Sequence, residues 1–451
     1  MVVRLTGQAA SLYEGIRDLP IVSPHGHCDP AWFAHNQPFQ DPAELLVVPD
    51  HYVFRMLYSQ GISLEDLGIG QPASARDPRA IFRLFAQNWH LFLGTPSRFW
   101  LQYVFDNTLK LSKTLSFGTS DYLYDEIAER LQSPEFKPRA LFESFNIEVL
   151  ATTDAATDPL EHHNALLEDP WQGRVIPTFR PDGVLDPSDP EFRTNLQNLG
   201  SEIDSYASYL AALRGRRAAF IELGATASDH AIEALTTGYL EDASAVFERI
   251  LQGQASDAER ASFYGHMLCV MAEMSLEDGL VMQLHAGSRR NTNQVIFEQF
   301  GRDKGADIPV RTNWVLGLEA LLNRVGNDPR FKLIVFTLDE ASYARELAPM
   351  AGHWPCLRLG PPWWFHDSAA GIARYFDQVV ETAGYFNLAG FNDDTRAFLS
   401  IPARHDLWRR GVALHLAGQI EKGFFDLNNA RALAPALAVD LARKAYNLGA
   451  S

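Results

Sequence analysis

Cysteine is scarce: Cys28, Cys269 and Cys356 are the three in 451 residues, and they are widely spaced. An odd number at such spacing offers neither a disulfide framework nor a CxxC zinc site, and it suits a reducing, cytoplasmic compartment. Long apolar runs are missing as well. No stretch of about 18 apolar residues occurs, so no membrane span is expected. The first residues include Glu14, Arg17 and Asp18 and do not read as a signal peptide. Positive charge is in deficit, with 39 Lys and Arg against 56 Asp and Glu, a formal net charge of −17. A surface of that sign repels phosphate backbones and anionic lipid, which makes nucleic acid and membrane poor partners. Fixed-period repeats and low-complexity tracts are absent too. The balance of 46% hydrophobic and 21% charged residues is globular.

What is present is a series of short apolar, β-rich runs ending in polar, Gly or Pro residues. They are Leu19–His27, Ile147–Asp154, Val175–Asp182, Ala218–Ala225, Leu280–Gly287, Lys332–Leu338, Cys356–Trp364 and Tyr385–Asp394. Helix-patterned stretches such as DHAIEALTTGYL and WVLGLEALLNRVG separate most of them. Near-continuous apolar strands alternating with helices indicate a parallel sheet covered on both faces, and eight such units predict an α/β fold, a (β/α)8 barrel. A doubly wound open sheet is the alternative. It would call for a phosphate-cradling turn such as GxGxxG after a strand, and none is there.

One gap breaks the rhythm. Residues 33–144 carry amphipathic segments rich in Phe, Trp and Leu, and they predict a helical insertion domain after the first strand, on the catalytic face. The barrel is then 1–32 and 145–451. A shorter insertion is expected around Glu241–Glu259, and a helical tail after Ile401.

The strongest local signal is His25-Gly26-His27. Side chains two apart on a strand share a face, so both imidazoles at a strand's C-terminal end would look into the barrel mouth and suit one divalent metal. Pro24 removes a ladder donor, and a bulge is expected there. Asp394 ends the eighth run, beside the first when the barrel closes. It could complete the metal sphere or move a proton. His285 ends the fifth run and is either a site residue or a structural hydrogen-bonding one. Arg180, Arg289, Arg290 and Arg396 crowd the same face, where a guanidinium fork matches a carboxylate; Arg290 is read as a salt-bridge partner. His51-Tyr52, with Arg55 one turn later, offers an acid/base candidate in the insertion. Asp229 reads as a helix N-cap. His162-His163 reads as solvated surface. Trp363-Trp364 walls a sugar pocket or packs in the core.

These motifs resemble the uronate isomerase (glucuronate isomerase) family of the amidohydrolase superfamily. The matching pieces run in order through nearly the whole chain: PHGH at 24–27, DHYVFR at 50–55, TTD at 152–154, LEHH at 160–163, FRPD at 179–182, SDHA at 228–231, LHAGSRRNTN at 284–293, WWFHD at 363–367, DDTRAFLS at 393–400 and RHDLWRR at 404–410. The resemblance implies a barrel of the metal-dependent hydrolase type with a helical insertion after strand one. It implies reversible conversion of D-glucuronate to D-fructuronate, and of D-galacturonate to D-tagaturonate. It implies one divalent ion, zinc being usual, on His25, His27 and Asp394. His285 and Arg396 match further active-site positions. Arg180, His51 and Tyr52 match substrate-contacting or proton-handling positions. Ser23-Pro24 before the HxH motif and Cys28-Asp29-Pro30 after it depart from the family pattern. A homo-oligomer acting on a small hexuronate is expected. The rival on the same barrel is a metal-dependent hydrolase or decarboxylase acting on a small carboxylate, for which Glu222 in the fourth run would be the bridging carboxylate. A rival of another class is a sugar-acid binding protein without activity.

Overall fold

The computed structural model describes residues 3–200 and 202–449. Its strands are β1 (Ile21–Ser23), β2 (Ile147–Ala151), β3 (Asp154–Ala155), β4 (Val175–Ile176), β5 (Phe179–Arg180), β6 (Ala227–Ile232), β7 (Val281–Ala286), β8 (Ser288–Arg289), β9 (Ile308–Pro309), β10 (Leu333–Thr337) and β11 (Leu357–Leu359). Apart from the antiparallel hairpin β8–β9, every pairing is parallel. β2 and β3 are successive pieces of one stave, as are β4 and β5. Thr152 N–H to Ile176 O (2.9 Å) and Asp154 N–H to Thr178 O (3.0 Å) carry the ladder across the breaks. All residues of β7 and β10 are buried, as strands covered on both faces should be.

The final stave differs from its expected form. Tyr385–Asn387 is a 3-10 turn, and beyond it the chain runs extended with one bridge, Leu359 to Leu388. Gly390 at φ +79° and Asp394 at φ +40° interrupt the regular ladder. Closure still occurs. Asp394 N–H reaches His25 O (3.3 Å) and His27 N–H reaches Thr395 O (2.9 Å), so the last segment lies against the first. The result is a closed parallel α/β barrel.

The fourth stave is also displaced from expectation. Ala218–Ala225 is not a strand; its first five residues end the helix Tyr206–Glu222, which starts in a capping box of Ser205 and Ser208. Ala, Leu, Glu and Arg favour that helix, and Gly224 at φ +91° ends it. The strand is β6, directly after. Glu222 is consequently an exposed helical residue and no bridging carboxylate. At Pro24 the strand simply stops; the register shift lies earlier, between Ile21 and Val22.

Between Pro30 and Ser144 the described residues form helices and turns without a strand. Their apolar faces meet in a second hydrophobic cluster that includes Phe82, Phe85, Phe92 and Ile127 and touches the barrel through Ile147, Leu150 and Val175. Helices Ala243–Gln252 and Asp257–Asp278 fill the interval between β6 and β7. Among the described residues no helix is long and apolar enough to cross a membrane.

Candidate active site

The C-terminal ends of the staves open into a cavity of about 750 Å³. His25, His27, His51, Tyr52, Arg180, His285, Trp363, Trp364, Asp394 and Arg396 all line it. His25 and His27 follow β1, His285 lies on β7, Arg180 ends β5, and Asp394 and Arg396 follow the last stave. His51 and Tyr52 start the helix His51–Tyr58, whose first turn is fixed by the Asp50 carboxylate accepting from Tyr52 N–H (2.8 Å).

The two imidazoles and the carboxylate come together. His27 Nε2 is 3.0 Å and His25 Nε2 3.4 Å from Asp394 Oδ1. Burial opposes ionisation of Asp394, but the two imidazoles outweigh it and hold the carboxyl well below its usual range. One ligand atom from each residue lies within 4.8 Å of the others, a nitrogen and oxygen donor set of the kind that holds a divalent metal. His25 Nδ1, buried and unpartnered, leaves the ring's Nε2 as its only engaged atom.

His285 belongs to a second group. Its Nδ1 is 2.6 Å from Asp229 Oδ1, deep between β6 and β7. Burial opposes ionisation of Asp229 too; His285, Arg180 and His25 overcome it and keep the carboxyl well below its usual value. Burial lowers the His285 pKa. A neutral ring facing an ionised carboxylate carries its proton on Nδ1, so Nε2, which has no protein partner, presents a lone pair. The ring is clamped by Phe336, stacked at 4.1 Å, and by Trp363 edge-on at 4.8 Å. Asp229 is therefore no helix cap. The misplaced fourth strand hid it, and Gly224 as a helix stop was the signal that would have revealed it.

Arg180 is held by Asp182 (2.9 Å) and Asp229 (3.5 Å). Burial lifts the Asp182 pKa to about 6 against the pull of Arg180. Arg290 pairs with Asp307 at 2.8 Å, as read from the sequence, though it also lines the cavity, while Arg289 does not line it and sits 3.8 Å from the cavity residue Glu233. Arg396 has no hydrogen bond or ion pair to another described residue, so its guanidinium is free for a ligand. His51 is similar: neither ring nitrogen has a partner, and burial, reinforced by Arg396, lowers its pKa to about 3. The ring is neutral at physiological pH. Trp364, at φ +54°, stands edge-on to His51 at 5.6 Å.

Two features escaped the sequence reading. Asp303, at φ +60°, lines the cavity opposite the arginines; burial raises its pKa, but Arg396, Arg290 and Arg180 together hold it below the ordinary value. His163 is buried and meets Thr152 Oγ1 at 2.9 Å, which corrects its reading as surface; His162 stays partly exposed against His35.

A family model for glucuronate isomerase matches residues 3–443. A uronate isomerase of Rhizorhabdus wittichii is 54% identical over 446 residues, 98% of this chain and 95% of that protein. The crystal structure of glucuronate isomerase from Caulobacter crescentus superposes with a TM-score of 0.96 at 49% identity, covering 98% of this chain and 94% of that one. A Lactobacillus casei protein described as a metal-dependent hydrolase shares the fold alone, at a TM-score of 0.55 and 16% identity over 97% of each chain. The family model over residues 3–443 and the 54% identical relative establish that the chain belongs to the glucuronate isomerase family.

Proposed function

We propose that the protein interconverts aldose and ketose hexuronates, D-glucuronate with D-fructuronate and D-galacturonate with D-tagaturonate. The observation that carries this reading is the cavity itself. Tyr52, the lone pair of His285 and the unpaired Arg396 are gathered there around the His25, His27 and Asp394 donor set.

The reaction opens the sugar ring and moves a proton from C2 to C1. In our reading Asp394 takes the proton of the anomeric hydroxyl as the C1–O5 bond breaks and passes it to the departing ring oxygen, which leaves the open-chain aldehyde. Arg396 then faces the C1 oxygen and stabilises the negative charge of a cis-enediolate, a role suited to a guanidinium with no internal partner. Tyr52 or the neutral His51 carries the C2 proton to C1 on one face, while the O2 hydroxyl proton passes to O1, so that C2 becomes the carbonyl and C1 the alcohol. Arg180 binds the C6 carboxylate with the N–H groups its two aspartates leave free. Trp363 and Trp364 give the sugar an apolar wall. His25, His27 and Asp394 would hold one divalent cation, zinc in our reading, which supplies Lewis-acid polarisation of the substrate carbonyl.

We further propose a cytoplasmic location, which three free, buried cysteines support, and residues 33–144 as a helical insertion domain, which their shared apolar cluster supports; a homo-oligomer is proposed alongside, to be tested by the size of the protein in solution. The test of function is incubation with both uronates in deuterated water, with metal content measured on the same preparation. Ketose formation supports the isomerase. Hydrolysis or decarboxylation of a small carboxylate without ketose overturns it.

A further inference from the structure

Arg404 lies outside the cavity, in the helix Ile401–Glu421, and is 2% exposed. Its guanidinium binds Asp367 Oδ2 (2.9 Å), the carbonyl oxygen of Asp393 (3.2 Å) and Ser400 Oγ (3.2 Å). One face lies 3.5 Å from the ring centre of Trp100, and the Tyr52 ring is 5.7 Å away. Trp100 in turn meets Tyr52 edge to face at 5.6 Å. A single planar cation thus touches the peptide that leads into Asp394, the loop that follows Trp364, and the insertion aromatic that backs Tyr52.

The backbone shows why a grip is needed there. Asp394 and Trp364 both sit at positive φ, +40° and +54°, which costs a non-glycine residue about 1–3 kcal/mol unless the surroundings impose it. Arg404 bonds the carbonyl directly before Asp394, while its partner Asp367 donates its backbone N–H to Trp364 O (3.4 Å). A buried ion pair alone is weak evidence of stabilisation, because desolvation offsets its attraction. Placement between two strained site residues gives this pair another purpose.

We propose that Arg404 is a positioning residue that aligns the Tyr52 hydroxyl with the Asp394 carboxylate across the cavity. The inference rests on the isomerase reading above. Lysine keeps the charge and the bond to Asp367 but has no planar fork to reach Asp393 O and cover Trp100 together.

The experiment is steady-state kinetics of the metal-loaded protein on D-glucuronate, with kcat expressed per bound metal. The variants are R404K, Y52F, R404K/Y52F and a distant control, R217K, which perturbs the ion pair of buried Arg217 with the exposed Asp278 (2.6 Å). R404K is expected to lower kcat about tenfold or more with KM within about twofold, the mark of misaligned groups in a bound complex. Added to Y52F it costs less than about twofold more, because the two act through one arrangement. R217K lowers Tm and leaves kcat unchanged. Should R404K unfold, the charge-neutral pair R404Q/D367N takes its place in the cycle. Unchanged kcat in R404K, or losses that multiply with those of Y52F, overturn the proposal. A wild-type protein that forms no ketose overturns the isomerase reading instead.

Discussion

Nδ1 of His285 sits 2.6 Å from Oδ1 of Asp229, and both side chains are almost fully buried. The contact fixes which nitrogen of His285 carries the proton. D229N keeps the shape but lets an amide donate where only an acceptor fits. Loss of such a supporting partner typically costs 10- to 100-fold, so kcat/KM should fall by about that much while the protein stays folded. Kinetics beside a thermal melt check this; full activity in D229N would show that the tautomer is immaterial.

Asp394 and Arg396 are expected to govern turnover rather than binding. D394N and R396M should each lower kcat/KM by at least about 100-fold, mostly through kcat, as for groups engaged at the transition state. R180M should instead raise KM for the anionic substrate and leave kcat less affected. Near wild-type values in D394N and R396M would refute these roles.

Chelation tests the metal reading. Treatment with a strong chelator should abolish activity, and stoichiometric zinc should restore it. Affinity should weaken as the pH falls, because the imidazoles of His25 and His27 must be neutral to bind. Metal content by elemental analysis at several pH values measures this directly, and chelated protein with undiminished turnover would speak against it.

His415 offers a pH signature far from the cavity. Its ring stacks on Phe376 at 4.5 Å, bonds the Tyr385 hydroxyl at 2.8 Å, and burial lowers its pKa from 6.5 to about 4. The unfolded chain protonates this residue first as the pH falls through 6.5. Stability present above that value is therefore lost progressively towards about pH 4. At 1.36 kcal/mol per unit, the wild type should lose roughly 2–3 kcal/mol relative to H415N between pH 7 and 4. Urea midpoints at several pH values give the comparison, and parallel curves would contradict it.

Much of this molecule is written locally. The apolar runs that became β7 and β10 were legible because strands covered on both faces must be apolar throughout. The HxH pair was legible as two imidazoles two residues apart at the end of the first apolar run, although β1 itself ends at Ser23 and both follow it. The fourth strand was not, since Ala218–Ala225 is apolar enough for either a strand or a helix end, and only the packed helix Tyr206–Glu222 resolves it. With that strand misplaced, Asp229 passed for a cap.

The sequence by itself determined the alternation of strands and helices, the imidazole pair and the sign of the surface charge, because each is a property of neighbours along the chain. Tertiary structure alone decided that Asp394 meets His25 and His27, that Asp229 orients His285, and that Arg404 grips Asp393 O, Asp367 and Trp100 together. Those contacts join distant segments, and they exist only once the staves pack side by side, the last against the first, and bury the groups away from water.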